Sequence, residues 1–244
     1  MPDNPNSDPR RACGSRAEEV ASWYFRVNGF MVCEGFVVHP PEMRYGPAQR
    51  TEADLYGIRF PHSVERVGRD ELMDDGERAH LDLFRCDRPL FILVEVKAGQ
   101  AAINGPWSRR DERNMETVIG RMGFLTPSEV PMAADAMYDH MRYTADAGDL
   151  RYVTVSTSRS QDLQTQYPSL TQIVFDDIAE FLFFRFKRHP MKISRERGYV
   201  HGQWPRFARM LGQAICQDNR VSDRSSARQA VQAYISQGNM DTLS

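Results

Sequence analysis

The sequence lacks several things that would have set its class at once. It has only four cysteines, Cys13, Cys33, Cys86 and Cys216. No two stand at a Cys-x-x-Cys spacing, so neither a zinc ribbon nor a dithiol redox pair is indicated, and four reduced thiols in a reducing compartment are the simple reading. The six histidines include no His-x-x-x-His pair, which leaves zinc hydrolase chemistry unsupported. Long apolar runs are missing: Leu90–Val94 and Phe181–Phe184 are far too short to span a bilayer. The polar, proline-rich start from Met1 to Arg11 has no apolar stretch of the kind a secretory signal needs. A soluble, cytoplasmic protein without a membrane partner is therefore expected. Excess positive charge is absent too. With a net charge of -2, any nucleic-acid binding must come from a local patch.

What is present is ordinary for a globular chain: 41% apolar and 26% charged residues over 244 positions, enough to bury a core. Residues 1–13 read as a disordered tail. A helix is predicted from about Ser15, with Ala17, Val20, Ala21, Tyr24 and Phe25 at helical spacing and Asn28-Gly29 as its stop. Phe30–Val38 and Ala53–Phe60 read as strands, the latter ended by Pro61. Residues 61–88 read as an insertion containing a further candidate strand at His80–Arg85. Leu90–Lys97 is the most buried-looking strand, fit for the centre of a sheet covered on both faces. A loop through Asn104-Gly105-Pro106-Trp107 leads to a helix at Asp111–Met122, and a second helix is predicted over Pro127–Ala145, with Met132, Ala136 and Tyr143 on its apolar side. Arg151–Thr157 and Thr171–Phe175 follow as strands, then a helix from Asp176-Asp177 to Arg188. Residues 189–244 form a helical extension with helices near Pro205–Cys216 and Ser225–Ser236. This alternation implies an α/β sandwich around one mixed sheet.

The strand Phe91-Ile92-Leu93-Val94-Glu95-Val96-Lys97 carries an anomaly. Side chains alternate across a strand, so Glu95 and Lys97 share one face at the end of a run apolar enough to be buried. Two ionisable groups there are costly unless compensated, by a structural ion pair or by a divalent cation shared with a second carboxylate. Asp54, on the strand in Thr51-Glu52-Ala53-Asp54-Leu55-Tyr56-Gly57, offers that carboxylate. Hard oxygen ligands of this kind suit Mg²⁺, whose bound water becomes a nucleophile, while Lys97 orients that water or meets charge on a phosphate.

Asp54 followed by Glu95-Val96-Lys97, behind a helix bearing Glu18, resembles the PD-(D/E)xK nuclease superfamily, which includes type II restriction enzymes, archaeal Holliday-junction resolvases and Mrr-like endonucleases. The likeness extends over the core of residues 14–188. Gly14-Ser15-Arg16-Ala17-Glu18, with the helix after it and Asn28-Gly29-Phe30, is similar to the first helix of resolvase-like members, and Ala98–Gly123 is similar to uncharacterised bacterial members. The resemblance implies a restriction-endonuclease-like three-layer sandwich with a central mixed β-sheet flanked by helices. It implies a nuclease that hydrolyses phosphodiester bonds in DNA with Mg²⁺ or Mn²⁺. The metal would rest on Asp54, Glu95, the Val96 carbonyl and Glu18, with Glu19 as the alternative to Glu18. Lys97 would be catalytic together with Glu95 and Asp54. The interval from Asp54 to Glu95 is longer than in many members, and Asp82 is a rival for the metal-binding Asp.

A basic stretch from Arg185 to Arg209, centred on Arg188, Lys192, Arg195 and Arg197 and interleaved with Tyr199 and Trp204, would hold the nucleic-acid backbone, unless it is simply a solvated helix end. Trp107 is either a packing residue under a loop or a base-stacking one, and Gln100 either meets substrate or caps a loop. A homodimer or larger complex is left open. The reading from a different class is a catalytically silent nuclease-fold binding module, or a subunit of a larger defence or repair complex.

Overall fold

The apolar run at Leu90–Val94 does become a strand interior, with every residue from Leu90 to Val96 buried. The structure is a computed structural model, and it describes residues 9–38, 51–67, 71–72, 83, 87–189 and 204–240. In chain order these form α1 (Pro9–Val27), β1 (Met31–Val38), β2 (Thr51–Arg59), a short ladder of β3 (Arg66–Val67) with β4 (Glu71–Leu72), β5 (Leu90–Gln100), α2 (Asn114–Met122) and α3 (Val130–His140). There follow β6 (Arg142–Ala145), β7 (Gly148–Ser158), α4 (Gln161–Gln166), β8 (Thr171–Val174), α5 (Phe175–Arg188), α6 (Arg206–Cys216) and α7 (Arg224–Gln237). The chain divides into two compact units, one drawn from 1–29, 64–81 and 174–244, the other from 30–63 and 82–173. The segments of the two units alternate along the chain.

The second unit is built on the sheet, whose order is β1-β2-β5-β7-β6, with β8 also paired to β7. β1, β2 and β5 run antiparallel, β5 and β7 parallel, and β6 and β7 antiparallel. The fold is thus α/β with a mixed, open, six-stranded sheet flanked by helices. On one face Phe91, Leu93, Leu150 and Tyr152 pack against Met115, Val118 and Ile119 of α2 and against Ala133, Ala134, Met137 and Tyr138 of α3. Phe124 stacks on Phe91 with ring centroids 3.9 Å apart. α2 stops at Gly123 in the left-handed conformation (φ 71°), the residue that pays least for it.

Three expectations need correction here. The helix predicted to Ala145 ends at His140. Met141 turns left-handed (φ 55°), and Arg142–Ala145 is β6, joined to β7 by a hairpin that pairs Ala145 with Gly148. Tyr143 and Thr144 are good strand formers, and the short turn is the stronger local signal. Met132, expected on the apolar side of α3, is 59% exposed; the core face is instead Ala133, Ala134, Met137 and Tyr138. Of the strand expected at His80–Arg85 only Leu83 is described, and it is helical and buried.

The first unit gathers α1, α5, α6 and α7. α1 starts at Pro9, inside the expected 1–13 tail, because a proline at the first helical position forfeits no helix hydrogen bond. Tyr24 meets Phe181 edge-on at 5.4 Å, and Trp204 lies against both Trp23 and Phe186. Arg16 of α1 donates to the carbonyls of Ile235 (2.8 Å) and Ser236 (2.7 Å), where α7 has carbonyls without helical partners. Among the described residues no helix is long and apolar enough to cross a membrane.

Gly148 marks the tightest backbone approach in the second unit. A Cβ there would lie 2.5 Å from the Pro89 carbonyl oxygen and 2.9 Å from the Phe91 ring, and Asp149 N donates to that same carbonyl at 2.8 Å. Gly148→Ala is expected to force this joint apart and to cost about 1–3 kcal/mol, measured by urea unfolding. A variant as stable as the parent would show that the joint yields freely.

Candidate active site

β2 and β5 are hydrogen-bonded from Arg59↔Leu90 as far as Leu55↔Val94, where their ladder stops. The next positions are Asp54 and Glu95. The Val96 amide, which has left the β2 ladder, donates instead to Asp54 Oδ2 at 2.7 Å. A carboxylate thus stands in for a lost backbone acceptor, and Asp54 is pinned across from the Glu-x-Lys segment.

Glu95 is 1% exposed. Its Oε1 forms an ion pair with Lys97 Nζ, and its Oε2 accepts from the Tyr152 hydroxyl at 3.1 Å. Tyr152 reaches it from β7, which runs parallel to β5 with Leu93 opposite Tyr152 and Glu95 opposite Thr154. Lys97 Nζ also donates to Asn104 Oδ1 at 2.9 Å, so the ammonium is held between a carboxylate and an amide. Just beyond Lys97 the β5–β7 register slips, from Lys97↔Ser156 to Gln100↔Ser158. Bulges of this kind turn a strand and re-aim its side chains.

The electrostatics follow from burial. Glu95 is pushed up to about 7, first by burial and then by the charge on Asp54, offset in part by Lys97 and by the Tyr152 hydrogen bond. Asp54 is also raised, chiefly by burial, against the lowering effect of the Val96 amide. The Tyr152 phenol is pushed well above its ordinary range by burial and by Glu95. Two carboxylates, Glu95 buried and Asp54 half-buried, thus face a single lysine. Beside them Thr154 Oγ1 is buried without a hydrogen-bond partner among the described residues. Such an orphan is costly in a dry interior and ordinary where a bound ion or its water supplies the partner. An all-oxygen donor set fits Mg²⁺ or Mn²⁺ better than a softer metal.

The structure brings together Asp54, Glu95, Val96 and Lys97 in the second unit. Glu18 is half-buried on α1 in the first unit. Its alternative, Glu19, is occupied in that unit: Glu19 Oε2 accepts from the Tyr234 hydroxyl and Oε1 from Phe207 N at 3.3 Å, so it ties α1 to α6 and α7. Among the described residues no three His, Cys, Asp or Glu side chains form a group able to hold a metal ion. Asp54 and Glu95 are the two carboxylates that the described residues of the second unit bring to this place. Asp82, Lys192, Arg195 and Arg197 lie outside the described residues, and Arg188 is exposed at the end of α5. Arg185 drops out of the basic stretch because it is buried in an ion pair with Glu65. Trp107 is 1% exposed and belongs to the core. Gln100 Nε2 donates to the Arg159 carbonyl at 3.3 Å, as a loop tie.

Tyr152 and Thr154 were not singled out from the sequence. Both read as core positions of an apolar strand, and only the parallel pairing of β7 with β5 puts them beside Glu95.

Glu95 makes the metal-free protein sensitive to pH. Its folded pKa of about 7 lies above the ordinary 4.5, so the folded state favours the protonated form. The cost of ionising it is absent below the ordinary value, grows as pH rises, and is complete above about 7. In EDTA, Glu95→Gln should match the parent near pH 4 and exceed it near pH 8 by up to about 3 kcal/mol in urea unfolding. A difference that does not grow with pH would mean that Glu95 is not held in this way. Comparison of the chain with protein-family models, with curated proteins and with solved structures finds no match.

Proposed function

We propose that this chain is a divalent-metal-dependent nuclease that hydrolyses phosphodiester bonds in DNA. The observation that carries the reading is the buried Glu95 carboxylate, set between Asp54 and Lys97 where β5 leaves β2. A purely structural pair has no need of the second, half-buried acid, which raises the cost of the first.

Asp54 and Glu95, with the Val96 carbonyl, are the residues that would hold Mg²⁺ or Mn²⁺. A divalent ion held there would supply charge neutralisation at the phosphate and a bound water of lowered pKa. The chain's own residues do the positioning. Tyr152 fixes one oxygen of Glu95 and the Val96 amide fixes one oxygen of Asp54, which orients both acids before any ligand arrives. Lys97, 27% exposed and braced by Asn104, presents its ammonium to incoming water or to a phosphoryl oxygen.

The same geometry supports a second reading, a catalytically silent nucleic-acid-binding module, because only two carboxylates gather at this place among the described residues. Cleavage separates the two. A panel of labelled DNAs is incubated with Mn²⁺, Mg²⁺ or EDTA, comparing the parent with Lys97→Ala. The expected outcome is metal-dependent cutting by the parent and a loss of about a hundredfold or more in the variant, with its circular dichroism spectrum unchanged. Equal cutting by both would remove Lys97 from the mechanism. A folded parent that binds DNA without cutting any member of the panel would favour the silent module.

A further inference from the structure

The loop between β5 and α2 does more than connect them. Its apolar anchor is Trp107, buried in the core of the second unit. Trp107 N donates to the Asn104 carbonyl (2.9 Å), Ser108 Oγ to the Gly105 carbonyl (2.9 Å), and Asn114 Nδ2 to the Pro106 carbonyl (2.8 Å). Arg110 is clamped to Asp135 and Asp139 of α3. The backbone is therefore set in advance, while Asn104, Gly105, Ser108 and Arg109 remain exposed along its rim. Asn104 gives its Oδ1 to Lys97, which leaves its amide donors on that rim. Arg109 folds back over Gly105: its Nη2 lies 3.3 Å from where a Cβ on that residue would sit. The absence of a side chain at Gly105 brings a guanidinium to the residue next to the one that braces Lys97.

Arg109 pairs with Glu112 at 2.8 Å, the Arg109 side chain 60% exposed and that of Glu112 17%. The solvent-facing guanidinium gains little from such a pair, and Glu112 keeps the Asn114 amide as a donor when Arg109 turns to another anion. A phosphodiester is a better anion for a planar guanidinium, which meets two of its oxygens at once. Because the loop is already ordered, seating a phosphate on it costs little conformational entropy.

We propose that the Asn104–Arg109 rim is a backbone-phosphate subsite of the nuclease, in which Arg109 exchanges Glu112 for the phosphate next to the scissile one. This rests on the nuclease reading above and adds the element that would hold the strand in register over Lys97.

The test is DNA binding by fluorescence anisotropy, with labelled single- and double-stranded oligonucleotides in Ca²⁺ at several salt concentrations. Arg109→Ala is expected to raise Kd about threefold to tenfold and to lower the salt slope by about one. Arg109→Lys should fall between it and the parent. Glu112→Gln keeps the oxygen that accepts from Asn114 but releases Arg109, and should tighten binding. Opposite shifts from the two partners are not produced by unfolding. Calorimetric titration with Mg²⁺ alone should be unchanged in Arg109→Ala. If Arg109→Ala and Glu112→Gln bind DNA as the parent does, while the parent still cuts in a Lys97-dependent way, the subsite is wrong and the nuclease reading stands. If the parent binds neither Mg²⁺ nor DNA, the reading fails and the subsite with it.

Discussion

A carboxylate in a dry interior must be met by charge and by donors, and much of the second unit is arranged around meeting this need at Glu95. The Tyr152 hydroxyl arrives from the neighbouring parallel strand, the Lys97 ammonium from two residues along the same strand. The loop after β5 then braces the lysine through Asn104. These contacts offset the burial only in part, because Asp54 adds a second negative charge to the same place. The residual imbalance is what a divalent ion would relieve, and its retention in an otherwise well-packed sheet is the physical reason to regard the group as a site.

The first unit solves a different problem with similar means. Glu19, half-buried on α1, accepts from the Tyr234 hydroxyl and the Phe207 amide. Arg185 is likewise closed off by Glu65. The contrast is instructive. Glu19 takes one donor on each oxygen and acts as a tie between helices, whereas Glu95 has Asp54 beside it as a second acid.

Much of this was legible in the sequence, for definite reasons. Glu95 and Lys97 announced themselves because period-two alternation puts them on one face at the end of an apolar run, and Asp54 because it stands in a second such strand. Tyr152 gave no signal: a tyrosine in an apolar strand reads as packing, and the register of a parallel pair is set by distant chain. The overrun of α3 into β6 has a local cause, since Met132, Ala136 and Tyr143 keep a helix-like apolar spacing past a break carried by a left-handed Met141 where glycine is usual. The early start of α1 was hidden by the proline and charged residues of its first turn, where a proline is in fact compatible with helix. The loop after β5 was readable as a loop, but its anchors at Trp107, Asn114 and Arg110 depend on partners from separate elements.

The interleaving of the two units along the chain bears on the order in which they can form. The sheet unit has all of its residues once synthesis has passed Ile173. The helical unit does not: α1 is made early, yet Arg16 docks on carbonyls at Ile235 and Ser236, more than two hundred residues later. During synthesis, then, α1 is made long before the chain that supplies the carbonyls on which Arg16 docks. The contacts that finally cover it have a very long loop to close, and they would be the last to form and the first to be lost when the C-terminal helices are trimmed.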